Sequence, residues 1–299
     1  MIDLTTLRAY ARNPVNRAVG ALRSRIHARL LTAKLNRQTF RSSESILGDA
    51  DVDVSLTTHG QRANRVHIAI QAIGSGTMRP RTLTLWVDVP EAEWRPTPGI
   101  RSLMARGLSV RFSDNFGPHT KYFPHCNKSD SPARPLVTAD DDILYPSDWL
   151  SSLLRAATAS RGEMIVAHRA HHIELDHRGN IASYMDWSRQ QDAVSSARVF
   201  ATGVSGVFYP VRMLEALRDF GEAFLEVCPK ADDIWLHAVA LRTRIPVRQA
   251  AARPRDFLSV PNTQSGGLGV SNAFSDGNDH QIRRTYSASD LKRLREDGT

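Results

Sequence analysis

Five aspartates, standing as a trio and a pair, are the residues best placed to do chemistry. Asp140, Asp141 and Asp142 stand side by side in RPLVTADDDILYPSDWL (134–150), between the apolar runs Leu136-Val137 and Ile143-Leu144. Adjacent like charges repel, and such a cluster is costly unless water or a cation compensates it. Mg2+ and Mn2+ take hard oxygen ligands, commonly one or two carboxylates together with substrate phosphates. In an extended segment side chains alternate, which would turn Asp140 and Asp142 to one side as a pair for an ion. Asp141 would then face a sugar or ribose hydroxyl. The competing reading is a solvated acidic turn ahead of the next helix. Asp232 and Asp233 open KADDIWLHAVALRTRI (230–245), a helical pattern. Two neighbouring carboxylates raise one pKa, while a helix N-terminus holds the other ionised, a combination suited to a general base. The competing reading is a pair of helix-capping acids.

These acids need elements to position them. Residues 51–58 (DVDVSLTT), 81–88 (RTLTLWVD), 108–114 (LSVRFSD) and 134–142 (RPLVTADDD) read as strands, and 64–73 and 147–160 as helices, with Ser147 or Asp148 as N-cap. Further strands are expected in GEMIVAHRAHHIEL and RVFATGVSGVFYP, and a helix over 230–245. Alternating strands and helices predict an α/β fold with a mostly parallel central sheet and helices on both faces. Ligands of such sheets bind at the carboxyl ends of the strands. Asp88, Asp114 and the trio each close a predicted strand. Residues 253–281 are rich in Gly, Asn and Ser and read as a loop or lid.

The totals set bounds. A chain of 299 residues, 41% hydrophobic and 23% charged, has the length and composition to bury a core. No run of eighteen apolar residues occurs. The N-terminus lacks the apolar core of a secretory signal. Cys126 and Cys228 form no CxxC pair and are expected as free thiols. Of the net charge of +8, +6 falls in residues 1–50, so the basic excess belongs to a leader. In that leader Val15, Val19, Leu22, Ile26 and Leu30 line one face of a predicted helix over 15–37, with arginines on the other faces. Two readings are open for it: a helix lying on an anionic membrane surface, or one packed on its own domain or a second subunit.

VTADDDILYPSDWL resembles the DxD segment of GT-A-fold glycosyltransferases, especially bacterial relatives of family 2. VDVSLTTHGQR is similar to their first strand and nucleotide-binding turn, and RFSDNFGPHTKYFP to the segment before the DxD. FATGVSGVFYP resembles a Gly-rich acceptor-side segment, CPKADDIWLHAVAL the acidic motif carrying the base, and GNDHQI a closing element. The resemblance covers residues 51–285 in order. It implies a GT-A-like domain there, after a leader over 1–50 and before a tail over 286–299.

It further implies an enzyme that moves a sugar from a nucleotide-diphosphate donor, UDP-linked by family preference, to a saccharide or glycolipid acceptor. Mn2+ or Mg2+ would bridge the diphosphate, and the transfer would be inverting. By the same resemblance Asp140 and Asp142 are metal ligands, with His280 as a third and Asn278 or Asp279 as alternatives to it. Thr57, Thr58 and Arg62 lie near the nucleotide, Asp88 near the base or ribose, and Lys121 near a phosphate. Asp233 is the base. Relatives carry Glu-Asp where this chain has Asp-Asp, which leaves Asp232 open as the alternative. Gly203 and Gly206 would let backbone approach the acceptor. Tyr184 and Trp187 would stack on a sugar face, against a reading of Trp187 as core. The implied location is the cytoplasm, peripheral at the inner membrane face.

Other readings rank lower. His168, His171, His172 and His177 fit no zinc-finger spacing. The start DVDVS resembles a phosphatase motif but has its apolar positions running through the aspartates. A sugar-nucleotide pyrophosphorylase-like nucleotidyltransferase would want a Gly-rich phosphate loop, and TTHGQRANR has one glycine. Nucleic-acid binding would need a basic patch with stacking aromatics, and the excess charge sits in one helix. An inactive scaffold of the same fold would not need both acidic groups.

Overall fold

The structure, a computed structural model, describes residues 14–127, 132–263 and 277–297. It opens with α1 (Pro14–Arg41), then β1 (Ala50–Thr58), α2 (Val66–Gly74), β2 (Pro80–Val87), α3 (Pro98–Met104) and β3 (Ser109–Phe112). Next come the short α4 (Phe123–Cys126), β4 (Leu136–Thr138), β5 (Ile143–Leu144), α5 (Trp149–Ala159), β6 (Ile165–Ala167) and β7 (Ala170–His172). The chain continues through β8 (Ser188–Arg189), β9 (Val199–Ala201), β10 (Val207–Tyr209), α6 (Val211–Phe220), α7 (Phe224–Val227) and α8 (Asp232–Thr243). It closes with β11 (Val247–Gln249), β12 (Leu258–Ser259), α9 (Gly277–Thr285) and α10 (Ala288–Glu296).

Seven strands form the central sheet in the order β11-β6-β10-β4-β1-β2-β3. β1 runs parallel to β2 and β4, β2 to β3, and β6 to β11; β10 alone runs antiparallel to both neighbours. The fold is therefore α/β with a mostly parallel sheet flanked by helices, as the strand–helix alternation predicts. Alternation along each strand splits the core between two faces. Leu136, Val207 and Tyr209 enter the layer that holds Tyr122, Phe200 and Trp235. Val137 and Phe208 enter the opposite layer with Val52, Val54 and Leu56. On the other face of β1, Ser55 donates to the Lys121 carbonyl at 2.7 Å, and Asp53 accepts from Thr82 at 2.7 Å.

Several expected elements are divided or shifted. GEMIVAHRAHHIEL yields two short strands, β6 in the central sheet and β7 in a small sheet ordered β8-β7-β9. Asp148 precedes α5, but it gives that helix no side-chain cap; its carboxylate pairs with Arg255 at 3.0 Å instead. Of the expected loop over 253–281, residues 264–276 lie outside the described residues, while β12 and the start of α9 fall within it.

α1 is seated by a face the heptad-like spacing did not select. Ala28, Thr32, Leu35 and Thr39 are buried, and α1 packs on α2 and α3. Val19, Leu22, Ile26 and Leu30 lie exposed on the opposite face. No helix among the described residues is long and apolar enough to cross a membrane. Cys126 and Cys228 are both free and buried.

Candidate active site

The chain leaves β1 toward β2 and β3 on one side and returns to place β4 on the other. Between β1 and β4 the strand order reverses, and the carboxyl ends there diverge to leave a crevice. A cavity of about 640 Å³ opens at this point. Thr57 and Thr58 from the end of β1, Asp88 after β2 and all three aspartates after β4 line it, with Arg62, Lys121, Tyr184, Gly203, Asp232, Asp233 and Asn278. Residues from across the sequence thus meet at one sheet edge.

The trio does not follow strand alternation. β4 ends at Thr138, and Asp141 and Asp142 lie in a turn. The three side chains instead take separate partners. Asp140 accepts from Lys121 Nζ at 2.9 Å, and its own N–H donates to the Tyr145 hydroxyl at 2.8 Å. Asp141 accepts from the Thr58 hydroxyl at 2.7 Å and from Arg62 at 3.0 Å. Asp142 lies 3.3 Å from the same guanidinium, and its carbonyl accepts from Val260 N–H at 2.7 Å. Each Asp141 oxygen thus has a protein donor, and the carboxylate helps to hold Arg62 and the end of β1 in place. Burial raises its pKa, against the Thr58 hydroxyl and Arg62. Burial pushes Asp142 up to about 6, with Arg62 opposing and Asp140 and Asp141 adding to the rise.

Across the cavity stands the pair. Asp232 and Asp233 begin α8. Asp232 Oδ2 lies 3.2 Å from Lys121 Nζ, buried and without a well-directed hydrogen bond among the described residues. Asp233 is held by the Gly203 N–H, which reaches both its oxygens at 3.0 and 3.1 Å. Burial first, and then the Asp232 charge, push Asp233 up to about 7, against Lys121 and the Gly203 amide. Lys121 therefore joins trio to pair. Burial alone would lower its pKa, but Asp140, Asp232 and Asp233 together raise it well above the usual lysine value.

The turn carrying Lys121 has its own support, which the sequence reading missed. His119, two residues earlier, is buried, with its ring nitrogens 2.7 Å from the Tyr122 hydroxyl and 2.7 Å from the Cys228 carbonyl. Its ring stacks on Phe224 at 4.1 Å between centroids. Burial lowers its pKa to about 4, so it acts as a neutral strut. Tyr145 was missed as well. Its only signal was an aromatic just beyond the trio in ADDDILY.

Not every expected residue reaches the cavity. His280 is exposed on α9 and does not line it; Asn278 does. Asp279 accepts from Ser183 Oγ at 2.7 Å and from Tyr184 N–H at 2.8 Å, and so positions the tyrosine. Trp187 is buried against Phe200, its indole N–H donating to the Ala182 carbonyl at 3.1 Å, which makes it core. Gly206 is required by packing: it has φ +93°, and a Cβ there would stand 2.6 Å from the Trp149 indole nitrogen. Asp114 lies just beyond β3, outside the cavity lining.

Among the described residues, no group of three or more His, Cys, Asp and Glu could hold an ion unaided. The donor set nevertheless fits a site completed by phosphate oxygens, which asks for one or two carboxylates. Asp140 and Asp142 are both on the cavity wall, and a cation there would relieve the repulsion that Asp140 and Asp141 add to the burial of Asp142.

No protein-family model and no curated protein sequence matches the chain. Among solved structures, it is similar to a mannosyltransferase from Pyrobaculum calidifontis in complex with GDP-Man and Mn2+, at 14% identity and a TM-score of 0.48, over 94% of this chain and 79% of that one. It is also similar to S. aureus TarS, at 10% identity and a TM-score of 0.45, over 68% of this chain and 59% of that one. A third is CMP:2-keto-3-deoxy-manno-octonic acid synthetase complexed with CTP, at 10% identity and a TM-score of 0.42, over 67% and 89% of the two chains. At these TM-scores the likenesses lend no weight to any particular chemistry, and what the cavity can do rests on its own residues.

Proposed function

We propose that the chain is a divalent-metal-dependent glycosyltransferase that takes a sugar from a nucleotide-diphosphate donor, UDP-linked by preference, and passes it to a saccharide or glycolipid hydroxyl. One observation carries the reading: an acidic trio suited to a cation and an acidic pair suited to a base face the same cavity, joined by Lys121 at 2.9 and 3.2 Å.

Asp140 and Asp142 would hold Mn2+ or Mg2+, with donor phosphate oxygens completing its shell. When bound, the ion neutralises charge on the departing diphosphate. Arg62 and Lys121 add positive charge on the same wall. Thr57 and Thr58 shape the nucleotide side at the end of β1, and Asp88 offers a carboxylate to base or ribose. The acceptor would lie along Gly203 and Tyr184, where its hydroxyl can give a proton to Asp233. A carboxylate whose pKa sits near neutrality suits that task, because a base works best when matched to the working pH. A base separate from the leaving-group wall favours inversion.

The test is a thermal-shift panel of nucleotide sugars with and without Mn2+. Stabilisation by a sugar nucleotide that needs the ion supports the reading. Stabilisation by nucleoside triphosphates alone, with release of pyrophosphate on adding a sugar phosphate, would move the chain to the nucleotidyltransferases.

A further inference from the structure

The basic helix α1 has two apolar faces and only one of them is occupied. Ala28, Thr32, Leu35 and Thr39 seat it on the domain. At 3.6 residues per turn, Val19, Leu22, Ile26 and Leu30 form a stripe on the other side, and all four are exposed, as is Phe40 near the helix end. Arg23, Arg25, Arg29, Lys34, Arg37 and Arg41 are exposed as well, and none forms an ion pair with a described residue. No acidic residue occurs anywhere in α1.

We infer that this face of α1 docks on an anionic lipid bilayer, with the stripe entering the headgroup–acyl boundary and the basic side chains meeting acidic headgroups. Charge complementarity selects this occupant. A second copy docked stripe to stripe would bring two sets of basic residues together with no acid to offset them. A nucleic acid would satisfy the arginines but leave the apolar stripe in water. A bilayer bearing acidic lipids uses both features of the same face.

The placement bears on the cavity. α1 also packs on β5 and β12. β5 follows directly from Asp142, whose carbonyl accepts from Val260 next to β12. The helix and the acidic turn thus share one support. The inference does not rest on the transferase reading and is tested apart from it.

The experiment is co-sedimentation of the full chain with vesicles of phosphatidylcholine alone or mixed with phosphatidylglycerol. Binding is expected only to the mixed vesicles, weakening as salt is raised. The triple variant Leu22→Gln, Ile26→Gln, Leu30→Gln should partition about tenfold less, because the apolar term is lost. Its melting temperature should stay unchanged, since all three side chains are exposed. Replacing Arg23, Arg29, Lys34 and Arg37 by Gln should abolish binding. Failure to bind the mixed vesicles, or unchanged binding by the triple variant, overturns the inference. So does a dimeric parent that the triple variant converts to monomer.

Discussion

The Gly203 amide donates to both oxygens of Asp233, at 3.0 and 3.1 Å, and a Cβ at Gly203 would stand 3.0 Å from Asp233 Oδ1 and 3.3 Å from Lys121 Nζ. Backbone therefore holds the proposed base directly, at a distance only a glycine leaves free. Gly203→Ala should displace the carboxylate by a few tenths of an ångström while the fold persists. Transfer is expected to fall by about 10- to 100-fold, since small misplacements of a reacting group are expensive in rate. Gly206→Ala should behave in the opposite way, losing about 1–3 kcal/mol of stability through the Trp149 clash and the positive φ. Kinetics and denaturant melts on the two variants separate these effects.

Asp233→Asn keeps a side chain that can still accept from Gly203 but cannot take a proton. Donor binding is expected to survive, with transfer reduced by about 10²- to 10⁴-fold. Asp232→Asn should cost less in rate if Asp233 is the base. Initial rates paired with nucleotide titrations decide the order, and the reverse ranking would move the role to Asp232.

Lys121→Met leaves Asp140, Asp232 and Asp233 with no ammonium between them. Removing one partner of a buried charge network costs about 3–5 kcal/mol. The loss should be greatest near neutral pH and shrink in mild acid, where Asp233, raised to about 7, takes up a proton. Urea unfolding at two pH values measures it; equal losses at both would show that the lysine acts through packing alone.

Burial raises Asp142 to about 6 and Asp233 to about 7, both above the ordinary value of 3.8. Between the unfolded and folded values the native chain binds more protons than the unfolded one, so from these groups stability falls as pH rises. The ion-free protein should thus gain stability as pH drops from about 7 toward about 4. Mn2+ affinity should run the other way, weakening as pH falls through about 6, because protons compete for Asp142. Urea unfolding of the ion-free protein across this range checks the first sign, and calorimetric titration with Mn2+ and a nucleoside diphosphate checks the second.

Asp142→Ala should abolish Mn2+-dependent binding of UDP together with donor hydrolysis and transfer. It also relieves a buried, crowded charge, so the ion-free variant should melt no lower than the parent. A thermal shift with UDP, with and without the ion, reads both outcomes; an undiminished shift would remove Asp142 from the metal site.

Much of this architecture was legible in local pattern. Strand and helix periodicities, and acids placed at strand ends, depend on residues a few positions apart. They located β1 to β4, α8 and the sheet edge that carries the cavity. The pair Asp232-Asp233 could be read for the same reason, since a helix start is a local feature.

What local pattern could not supply was direction. Alternation along a strand stops where the strand stops, and the chain turns immediately after Thr138, so the aim of the three aspartates was set by Arg62 and Lys121, 79 and 19 residues away from their partners. Trp187 and Gly206 carry the residue types of a sugar site, yet Phe200 and Trp149 claim them for the core. Both sides of α1 are apolar enough to bury, and complementarity with α2 and α3 decided which one was. Sequence alone determined the elements and the chemistry concentrated at their ends; tertiary structure decided which side chains meet, because contacts between distant segments depend on packing that no short window of residues contains.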